Sequence, residues 1–363
     1  MTDPAAGARR DPGLVRLVRA GVLAPERTAA LEAVARRHAV AVAPDLCALI
    51  DPADPADPVA RQYVPDEAEL TGRPEERGDP IGDAAHMPVE GLVHRYPDRV
   101  LLMPGAACAA YCRFCFRRTR VGTGAAALGP AELDACLDYI RARPAIWEVI
   151  LSGGDPLVLA PRRLGALVAA LDAISHVGVV RVHTRLPVVD PRRITPALTG
   201  ALATTDSALW VAVHVNHPRE LTAVALAAIR RLIDAGAALV SQTVLLRGVN
   251  DDPAVLEALF RALVRARVKP YYLHHADLAQ GTGHFRTGIE DGRALMGALR
   301  GRVSGLCQPT YVLDLPGGHG KVPAGPCWLE GSDAAGWRAE APGGGVHRYP
   351  PTAGEVSRAD EAG

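Results

Sequence analysis

Three cysteines in one short stretch are the residues of this sequence best suited to chemistry. Cys108, Cys112 and Cys115 follow an apolar run, residues 100–104, that predicts a short buried strand. A loop that wraps around a small inorganic cluster can bring three thiolates to it, and thiolates are the usual protein ligands of iron–sulfur clusters. Three ligands leave one iron of a four-iron cluster without a protein ligand. The spacing therefore predicts a [4Fe–4S] cluster with one iron open for reaction.

Two other uses of these thiols remain open. A zinc site normally takes four ligands in closely spaced pairs, and the remaining cysteines stand alone in the sequence: Cys47, Cys136, Cys307 and Cys327. The three thiols could also be inert. A disulfide framework is not expected, because the cysteine count is odd, no secretory signal precedes the cysteines, and a chain of 363 residues does not need cross-links.

A glycine-rich segment that ends in a lysine is the second chemical feature. Residues 316–321 read Pro-Gly-Gly-His-Gly-Lys, without the spacing or the following Ser/Thr of a phosphate-binding loop. Of the 40 Lys and Arg residues, only Lys269 and Lys321 are lysines. A guanidinium group stays protonated and cannot form an imine, whereas a lysine amine can. Lys321 is therefore a candidate for covalent chemistry.

Charge and hydropathy exclude several classes of protein. The formal net charge is zero, so neither nucleic acid nor a membrane surface is an expected partner. No apolar run is long enough to span a bilayer, and the first residues are polar and unlike an export signal. Free cysteines of the cluster type predict a reducing cytoplasm.

Three regions are predicted along the chain. Residues 1 to about 85 are expected to be helical and loop-rich: residues 24–37 have helix formers with apolar spacing, and the repeat at residues 51–58 reads as a solvated connector. A barrel unit is expected over residues 86–305. A C-terminal segment over residues 306–363 contains the lysine loop and a polar tail.

Short apolar segments alternate with helical patterns from about residue 98 onwards. The predicted strands are 99–103, 148–151, 179–184, 209–215, 239–246 and 271–275. The predicted helices are near 130–142, 161–173, 193–202, 219–235, 253–266 and 288–300, and Pro130, Pro161 and Pro253 stand where helices would begin. This alternation predicts an α/β fold with a parallel sheet, either open or curved into a partial barrel, whose loops after the strands gather at one face.

The segment from Cys108 to Arg118 resembles the cysteine signature of radical S-adenosylmethionine (SAM) enzymes. It reads Cys-Ala-Ala-Tyr-Cys-Arg-Phe-Cys-Phe-Arg-Arg. It is most similar to the lysine 2,3-aminomutase family, and the resemblance runs from about residue 92 to residue 326. It implies a partial (β/α)6 barrel of the radical SAM type and a [4Fe–4S] cluster whose open iron binds S-adenosyl-L-methionine.

Two further sets of residues match positions near S-adenosylmethionine in that family. Ser152, Gly153, Gly154 and Asp155 resemble the Gly-Gly stretch that contacts its methionine part, and His214 and Gln242 match positions near the cofactor. Without the resemblance, residues 152–155 would be interpreted as a turn that glycine permits. His214 and Gln242 would be interpreted as buried polar side chains that satisfy local backbone groups.

Pyridoxal 5′-phosphate (PLP) is the third cofactor that the resemblance implies. Residues 316–321 resemble the segment whose lysine carries PLP as an imine, which assigns this role to Lys321; His319 replaces a glycine of the family. Arg95 and Arg99 resemble the arginines on the phosphate side, and Tyr96 resembles the neighbour of the ring. The alternative for these three residues is an exposed charged turn.

Three charged residues match the family's substrate contacts. Arg117 corresponds to the arginine that binds the substrate carboxylate through two hydrogen bonds. Asp277 and Asp314 correspond to the aspartates that hold the side-chain ammonium in lysine-specific members. Glutamate-acting relatives change both residues, because two carboxylates would repel a third.

The activity implied is that of an isomerase converting L-lysine to β-lysine by 1,2-migration of the amino group on PLP. An electron donor such as flavodoxin or ferredoxin is the implied partner, and a homo-oligomer is left open. Three alternatives remain: the same chemistry serving β-lysylation of elongation factor P, an arginine 2,3-aminomutase, and a non-catalytic iron–sulfur carrier. The carrier explains neither Lys321 nor the two aspartates.

Overall fold

A sheet of nine strands, in the same order as the chain, forms the centre of the computed structural model, which describes residues 11–122, 127–204, 206–333 and 336–352. The first ten residues of the predicted N-terminal region and residues 353–363 of the predicted tail lie outside this part. The strands are β1 (Leu92–Tyr96), β2 (Arg99–Leu102), β3 (Glu148–Leu151), β4 (Val179–Thr184), β5 (Ala208–His214), β6 (Ala238–Leu245), β7 (Lys269–His275), β8 (Thr310–Leu315) and β9 (Gly320–Pro323).

Strands β2 to β8 are all parallel, and an antiparallel strand lies at each edge. β1 pairs with β2 and β9 pairs with β8. All six predicted strands are present, so the prediction of an α/β fold with a curved parallel sheet is confirmed. The sequence analysis missed β1, β8 and β9. Because β8 and β9 belong to the main sheet, this sheet extends past residue 305, the predicted end of the barrel unit, to Pro323.

The described part of the chain contains helices that pack around the main sheet and, near the N-terminus, two helices that pack on each other in a separate apolar cluster. They are α1 (Pro12–Arg19), α2 (Thr28–Arg37), α3 (Pro44–Cys47), α4 (Pro58–Tyr63), α5 (Pro130–Arg141), α6 (Pro161–Asp172), α7 (Leu186–Val189), α8 (Pro196–Gly200), α9 (Ala223–Asp234), α10 (Pro253–Arg265) and α11 (Ile289–Leu299). Apolar residues recur on one face of each long helix, as Leu256, Leu259, Phe260 and Leu263 do in α10, and all four are fully buried.

Helix starts follow the local sequence closely. Pro130, Pro161 and Pro253 are each the first residue of a helix, as predicted. The predicted helix 219–235 begins later, at Ala223, because the Thr222 hydroxyl accepts a hydrogen bond of 3.2 Å from the Ala225 amide and caps the helix there. The predicted helix 193–202 is limited to the short α8.

The prediction that residues 51–58 form a solvated connector was wrong for Asp57. Residues 51–56 are exposed, but Asp57 is fully buried. Its carboxylate accepts hydrogen bonds of 2.8 and 2.7 Å from the Val59 and Ala60 amides and pairs with Arg219 at 2.7 Å. The last aspartate of the repeat therefore caps α4 and joins it to the loop after β5.

A separate antiparallel sheet of three strands follows the main sheet. It consists of β10 (Leu329–Asp333), β11 (Gly336–Glu340) and β12 (Val346–Tyr349). β12 lies within the predicted polar tail, and its four residues are all exposed. In the described ranges no helix combines the length and the apolarity needed to cross a bilayer.

Candidate active site

The strand register places six polar side chains on the inner face of the main sheet. His214 of β5 is the register partner of Gln242 in β6, and Asp314 of β8 is the partner of Lys321 in β9. Because side chains alternate between faces and register partners share a face, the register also assigns residues of β4 and β7 to this face. The six residues are His183, His214, Gln242, His274, Asp314 and Lys321.

The cysteine loop follows β2, at the end of the sheet where the loops after the parallel strands meet. Burial raises the pKa of Cys115 to about 11, and neighbouring Cys112 adds to the rise. Burial, Asp155 and the other two thiols raise the pKa of Cys108 as well. The three thiols are therefore close enough to oppose one another's ionisation. They line a cavity of about 50 Å³.

These thiols suit a cluster better than a single metal ion. Within residues 11–122, 127–204, 206–333 and 336–352, no three His, Cys, Asp or Glu side chains lie close enough together to bind one ion. The ligands of an iron–sulfur cluster bind different irons and do not need to converge on one point. The positive charge of the irons would offset the mutual repulsion of the thiolates. The donor set therefore fits the predicted [4Fe–4S] cluster.

Glu69 holds the cysteine loop to the N-terminal region. This fully buried carboxylate pairs with Arg113 through Nε at 2.9 Å and Nη2 at 2.6 Å, and it also pairs with Arg118. Arg118 donates a further hydrogen bond of 3.1 Å to the carbonyl of Gly281. The sequence analysis gave Glu69 no role, because it lies far from the cysteines along the chain.

The glycines after β3 let the chain approach the start of the cysteine loop. A Cβ atom at Gly154 would lie 2.3 Å from the Ala107 carbonyl oxygen, and one at Gly153 would lie 2.7 Å from the Cβ of Met103. The Gly154 amide donates a hydrogen bond of 2.9 Å to the Gly105 carbonyl. Residues 152–155, predicted to contact S-adenosylmethionine, therefore lie directly against the cysteine loop.

The Asp155 carboxylate joins the loops after β3 and β4. It accepts hydrogen bonds of 2.8 Å from both the Thr184 hydroxyl and the Arg185 amide, and it also accepts from the Leu157 and Leu186 amides. Burial nevertheless raises the pKa of Asp155. This carboxylate therefore fixes the backbone at Arg185, a residue that the sequence analysis did not single out.

Lys321 and Asp314, predicted for different roles, are in direct contact. The Lys321 ammonium pairs with the Asp314 carboxylate, and His274 Nδ1 lies 3.5 Å from Lys321 Nζ and 3.6 Å from Asp314 Oδ2. Burial favours protonation of Asp314, but His274 and Lys321 outweigh it and lower the pKa of Asp314 to about 2. Asp314 therefore remains ionised throughout the physiological pH range.

Asp277 lies beside this pair but in a different electrostatic state. Burial raises the pKa of Asp277 to about 7, and the charge of Asp314 adds to the rise, while Lys321 and Arg117 oppose it. These interactions place the predicted substrate residues and the predicted PLP lysine in one site. The site thus combines two carboxylates with two cationic groups.

A buried aspartate that the sequence analysis missed lies between two of the predicted arginines. Asp83 accepts a hydrogen bond of 2.7 Å from Arg117 Nε and one of 3.3 Å from Arg95 Nη2. Arg117 also approaches the Ser152 hydroxyl, at 3.5 Å. The arginine predicted for the substrate and one predicted for PLP phosphate therefore share one partner.

Of the other predicted PLP residues, Tyr96 reaches the lysine loop and Arg99 contacts Tyr96. The Arg99 guanidinium lies 3.9 Å from the centre of the Tyr96 ring and pairs with Asp98 at 2.6 Å. Gly317, Gly318 and Gly320 all have positive φ values, between 87° and 97°, which side-chain-bearing residues rarely adopt. His319, which replaces a glycine of the family, is exposed, and the glycines on either side of it keep positive φ values.

His214 and His183 also face the site. His214 Nε2 bonds Asn216 Oδ1 at 3.0 Å. Burial, followed by the charge of Arg181 and of Arg117, lowers the pKa of His183 well below its usual value. The Nε2 atom of His183 is buried and has no hydrogen-bond partner within the described part of the chain. An unpartnered buried polar atom at this position fits a site built for a polar ligand.

The position of the cysteine loop, at the end of a curved parallel sheet and against the glycines after β3, agrees with the resemblance to radical SAM enzymes. In agreement, the sequence pattern of the Radical SAM superfamily matches residues 102–259. That superfamily implies a [4Fe–4S] cluster and S-adenosylmethionine.

Curated relatives specify the family further. An L-lysine 2,3-aminomutase of Clostridium subterminale is 43% identical over 290 residues, which cover 80% of this chain and 70% of that protein. A putative L-lysine 2,3-aminomutase of Aquifex aeolicus is 42% identical over 308 residues, covering 85% and 83%. A glutamate 2,3-aminomutase of Clostridioides difficile is 37% identical over 289 residues, covering 80% and 68%. The chain belongs to the lysine 2,3-aminomutase family of isomerases.

Proposed function

We propose that this aminomutase interconverts L-lysine and β-lysine. The observation that supports lysine is the placement of Asp277 and Asp314 together beside Arg117 and Lys321. Two carboxylates favour a cationic side chain and repel the carboxylate of glutamate. A guanidinium on Arg117 suits the substrate carboxylate, because its donors match the two oxygens.

Cys108, Cys112 and Cys115 would hold the cluster, and residues 152–155 with His214 and Gln242 would bind S-adenosylmethionine beside it. Lys321 would bind PLP, with Tyr96 at its ring and Arg95 and Arg99 at its phosphate. When bound, the cluster and S-adenosylmethionine supply one-electron chemistry that removes and returns a hydrogen atom, and PLP supplies the carbonyl that carries the migrating nitrogen.

The protein's own groups would orient the substrate at both ends. Asp314 stays ionised because of Lys321 and His274, so it can accept the substrate ammonium when Lys321 changes partner. Asp277 would release its proton as that ammonium approaches, since a nearby cation lowers a carboxyl pKa. All seven cysteines are free, which suits a reducing compartment. We therefore propose a cytoplasmic enzyme.

Substrate competition under anaerobic conditions tests this assignment. The reconstituted enzyme, with reduced flavodoxin or ferredoxin as electron donor, is given lysine, arginine and glutamate, and the products are analysed. Lysine should be used most efficiently, and Asp314→Asn should lower kcat/KM for lysine by roughly 10- to 100-fold. Asp138→Asn is the control, since Asp138 pairs with Arg141 on the exposed surface. Preference for arginine or glutamate would overturn the assignment.

A second arm tests the physiological role. Elongation factor P carrying a lysyl group is offered in place of free lysine. Turnover of the modified factor without turnover of free lysine would assign the same chemistry to factor modification instead of free β-lysine production.

A further inference from the structure

The sulfur of Cys112 receives a hydrogen bond from an arginine that follows β4. Arg185 Nη1 lies 2.9 Å from Cys112 Sγ, and Arg185 is 7% exposed. None of the roles assigned above to cluster, cofactor or substrate includes Arg185. The contact requires two loops, residues 108–115 and the turn after Thr184, to meet at the same end of the sheet.

The other terminal nitrogen of the Arg185 guanidinium is fixed by buried groups. Its Nη2 atom donates to Gln62 Oε1 at 2.7 Å and to the Glu220 carboxylate at 3.0 and 3.1 Å. Its backbone amide donates to Asp155, as described above. Because Glu220 is 1% exposed and Gln62 is fully buried, moving the guanidinium would leave several buried polar groups without partners.

The partners of Arg185 are themselves held in place. Gln62 Nε2 donates to Glu220 Oε1 at 2.7 Å, and Asn216 Nδ2 donates to Gln62 Oε1 at 3.0 Å. The ring of Tyr63 lies 4.8 Å from the guanidinium carbon and the ring of Phe114 lies 5.3 Å from it. These rings exclude water from the contact, and a lower local dielectric strengthens hydrogen bonds and charge effects.

Such a contact has a specific consequence for a bound cluster. Reduction adds negative charge to the cluster, and part of that charge resides on the ligand sulfurs. A hydrogen-bond donor fixed at a ligand sulfur stabilises the reduced form more than the oxidised form, and hydrogen bonds to the sulfurs are among the determinants of the reduction potential. Glu220 offsets part of the guanidinium charge but does not remove the directed N–H···S bond.

We propose that Arg185 is a positioning residue that raises the reduction potential of the cluster by donating a hydrogen bond to Cys112. Glu220 acts in the opposite direction, because its negative charge lowers the net positive charge at the sulfur. Together they set how easily a protein electron donor can reduce the cluster. This inference rests on the proposed function, since it requires that Cys112 is a cluster ligand.

Redox titration of the reconstituted protein, followed by electron paramagnetic resonance, tests the proposal without an activity assay. The variants are Glu220→Gln, Arg185→Met and the double variant. In the double variant no buried carboxylate is left without its cation, because Glu220 is replaced together with Arg185. Comparison of the double variant with Glu220→Gln isolates Arg185. In the double variant, the ratio of reduced to oxidised cluster at a fixed potential should be about tenfold lower than in Glu220→Gln. This corresponds to a midpoint potential that is about 59 mV more negative for a one-electron reduction. Glu220→Gln alone should shift the potential in the positive direction.

The control is Arg181→Met. Arg181 lies in β4, the strand that ends directly before Arg185. It pairs with Glu148 at 2.9 Å, away from the cysteine loop. Its substitution should leave the midpoint potential unchanged. Iron and sulfide content is measured for every variant.

Four outcomes are distinguishable. A more negative potential in the double variant than in Glu220→Gln supports the proposal, and equal potentials overturn it. Loss of the cluster from folded protein in both Arg185 variants also overturns it, because Arg185 would then retain the cluster instead of tuning it. Absence of a cluster from the wild-type protein contradicts the proposed function itself.

Discussion

The hydroxyl of Tyr96 accepts a hydrogen bond of 2.9 Å from the backbone amide of Lys321. Tyr96 ends β1 and Lys321 is in β9, so this bond joins the two edge strands of the nine-stranded sheet. A Cβ atom at Gly320 would lie 3.1 Å from the same hydroxyl, so the close approach requires a small residue there. The backbone of the predicted PLP lysine is thereby fixed, while its ammonium group can exchange partners.

Tyr96→Phe should therefore reduce both stability and PLP affinity. The change removes the acceptor of a partly buried amide, which costs about 1 kcal/mol of unfolding free energy. PLP binding should weaken because Lys321 is then less well positioned; chemical denaturation and the visible absorbance of bound PLP measure the two effects.

Tyr139→Phe provides the comparison. Tyr139 contacts His94 Nδ1 at 3.0 Å, in the same part of the sheet but away from Lys321. It should lose stability without losing PLP. Equal PLP affinity in the wild type and Tyr96→Phe would show that the tyrosine has only a structural role.

Lys321→Arg should abolish the visible PLP band while leaving the cluster intact. Arginine can keep a cationic contact with Asp314 but cannot form an imine. Iron and sulfide content should be unchanged, because the hydrogen-bond partners of Lys321 in the described ranges are Tyr96, His274 and Asp314, none of which belongs to the cysteine loop. Lys269→Arg is the matched control, since Lys269 bonds the carbonyls of Pro270 and Gln308. A band that persists in Lys321→Arg would exclude Lys321 as the PLP lysine.

Asp83→Asn should weaken the binding of lysine and of PLP together. Asp83 pairs with Arg117 and Arg95, and loss of its charge leaves two largely buried cations less well oriented, at a cost of roughly 1–3 kcal/mol. KM for lysine and the dissociation constant of PLP should both rise. Glu90→Gln breaks an exposed pair with Arg120 and should change neither constant. An effect on only one of the two constants would mean that the two arginines do not depend on a common partner.

Local sequence was sufficient to predict most of the sheet. The strands from β2 to β7 are apolar runs bounded by turn residues or helix signals, and proline marks three helix starts, so short-range chemistry determines them. β1 was missed because three of its five residues, in the sequence Leu-Val-His-Arg-Tyr, are polar or charged. β8 and β9 lie after the last predicted helix, beside the glycines of the lysine loop.

Contacts between distant residues could not be predicted in this way. Asp83 and Arg117 are 34 residues apart, and Arg185 and Cys112 are 73 apart. Neither pair has a spacing signal, because each depends on the curvature of the sheet and on loops that meet at its end. Asp57 was misjudged for the same reason: its neighbours are exposed, and only Arg219 and the start of α4 explain its burial.

Asp277→Asn should stabilise the substrate-free protein while impairing its response to lysine. The folded-state pKa of Asp277 is raised from the usual 3.8 to about 7. Below pH 4 the carboxyl is neutral in both the folded and the unfolded state, so it affects stability little. Between pH 4 and 7 the folded state holds a proton that the unfolded state has released, and stability falls as pH rises. Above pH 7 the full cost is present, roughly 4 kcal/mol by linkage.

Denaturant unfolding at pH 4, 6 and 8 measures this effect as the difference between Asp277→Asn and the wild type. That difference should be small at pH 4 and should increase in favour of the variant up to about pH 7, since the neutral amide never needs to ionise. Added lysine should stabilise the wild type at pH 8, because its ammonium pairs with the ionised carboxylate, and should stabilise the variant much less. A difference that does not vary with pH would mean that Asp277 titrates normally. Equal stabilisation of both proteins by lysine would remove Asp277 from the ammonium site.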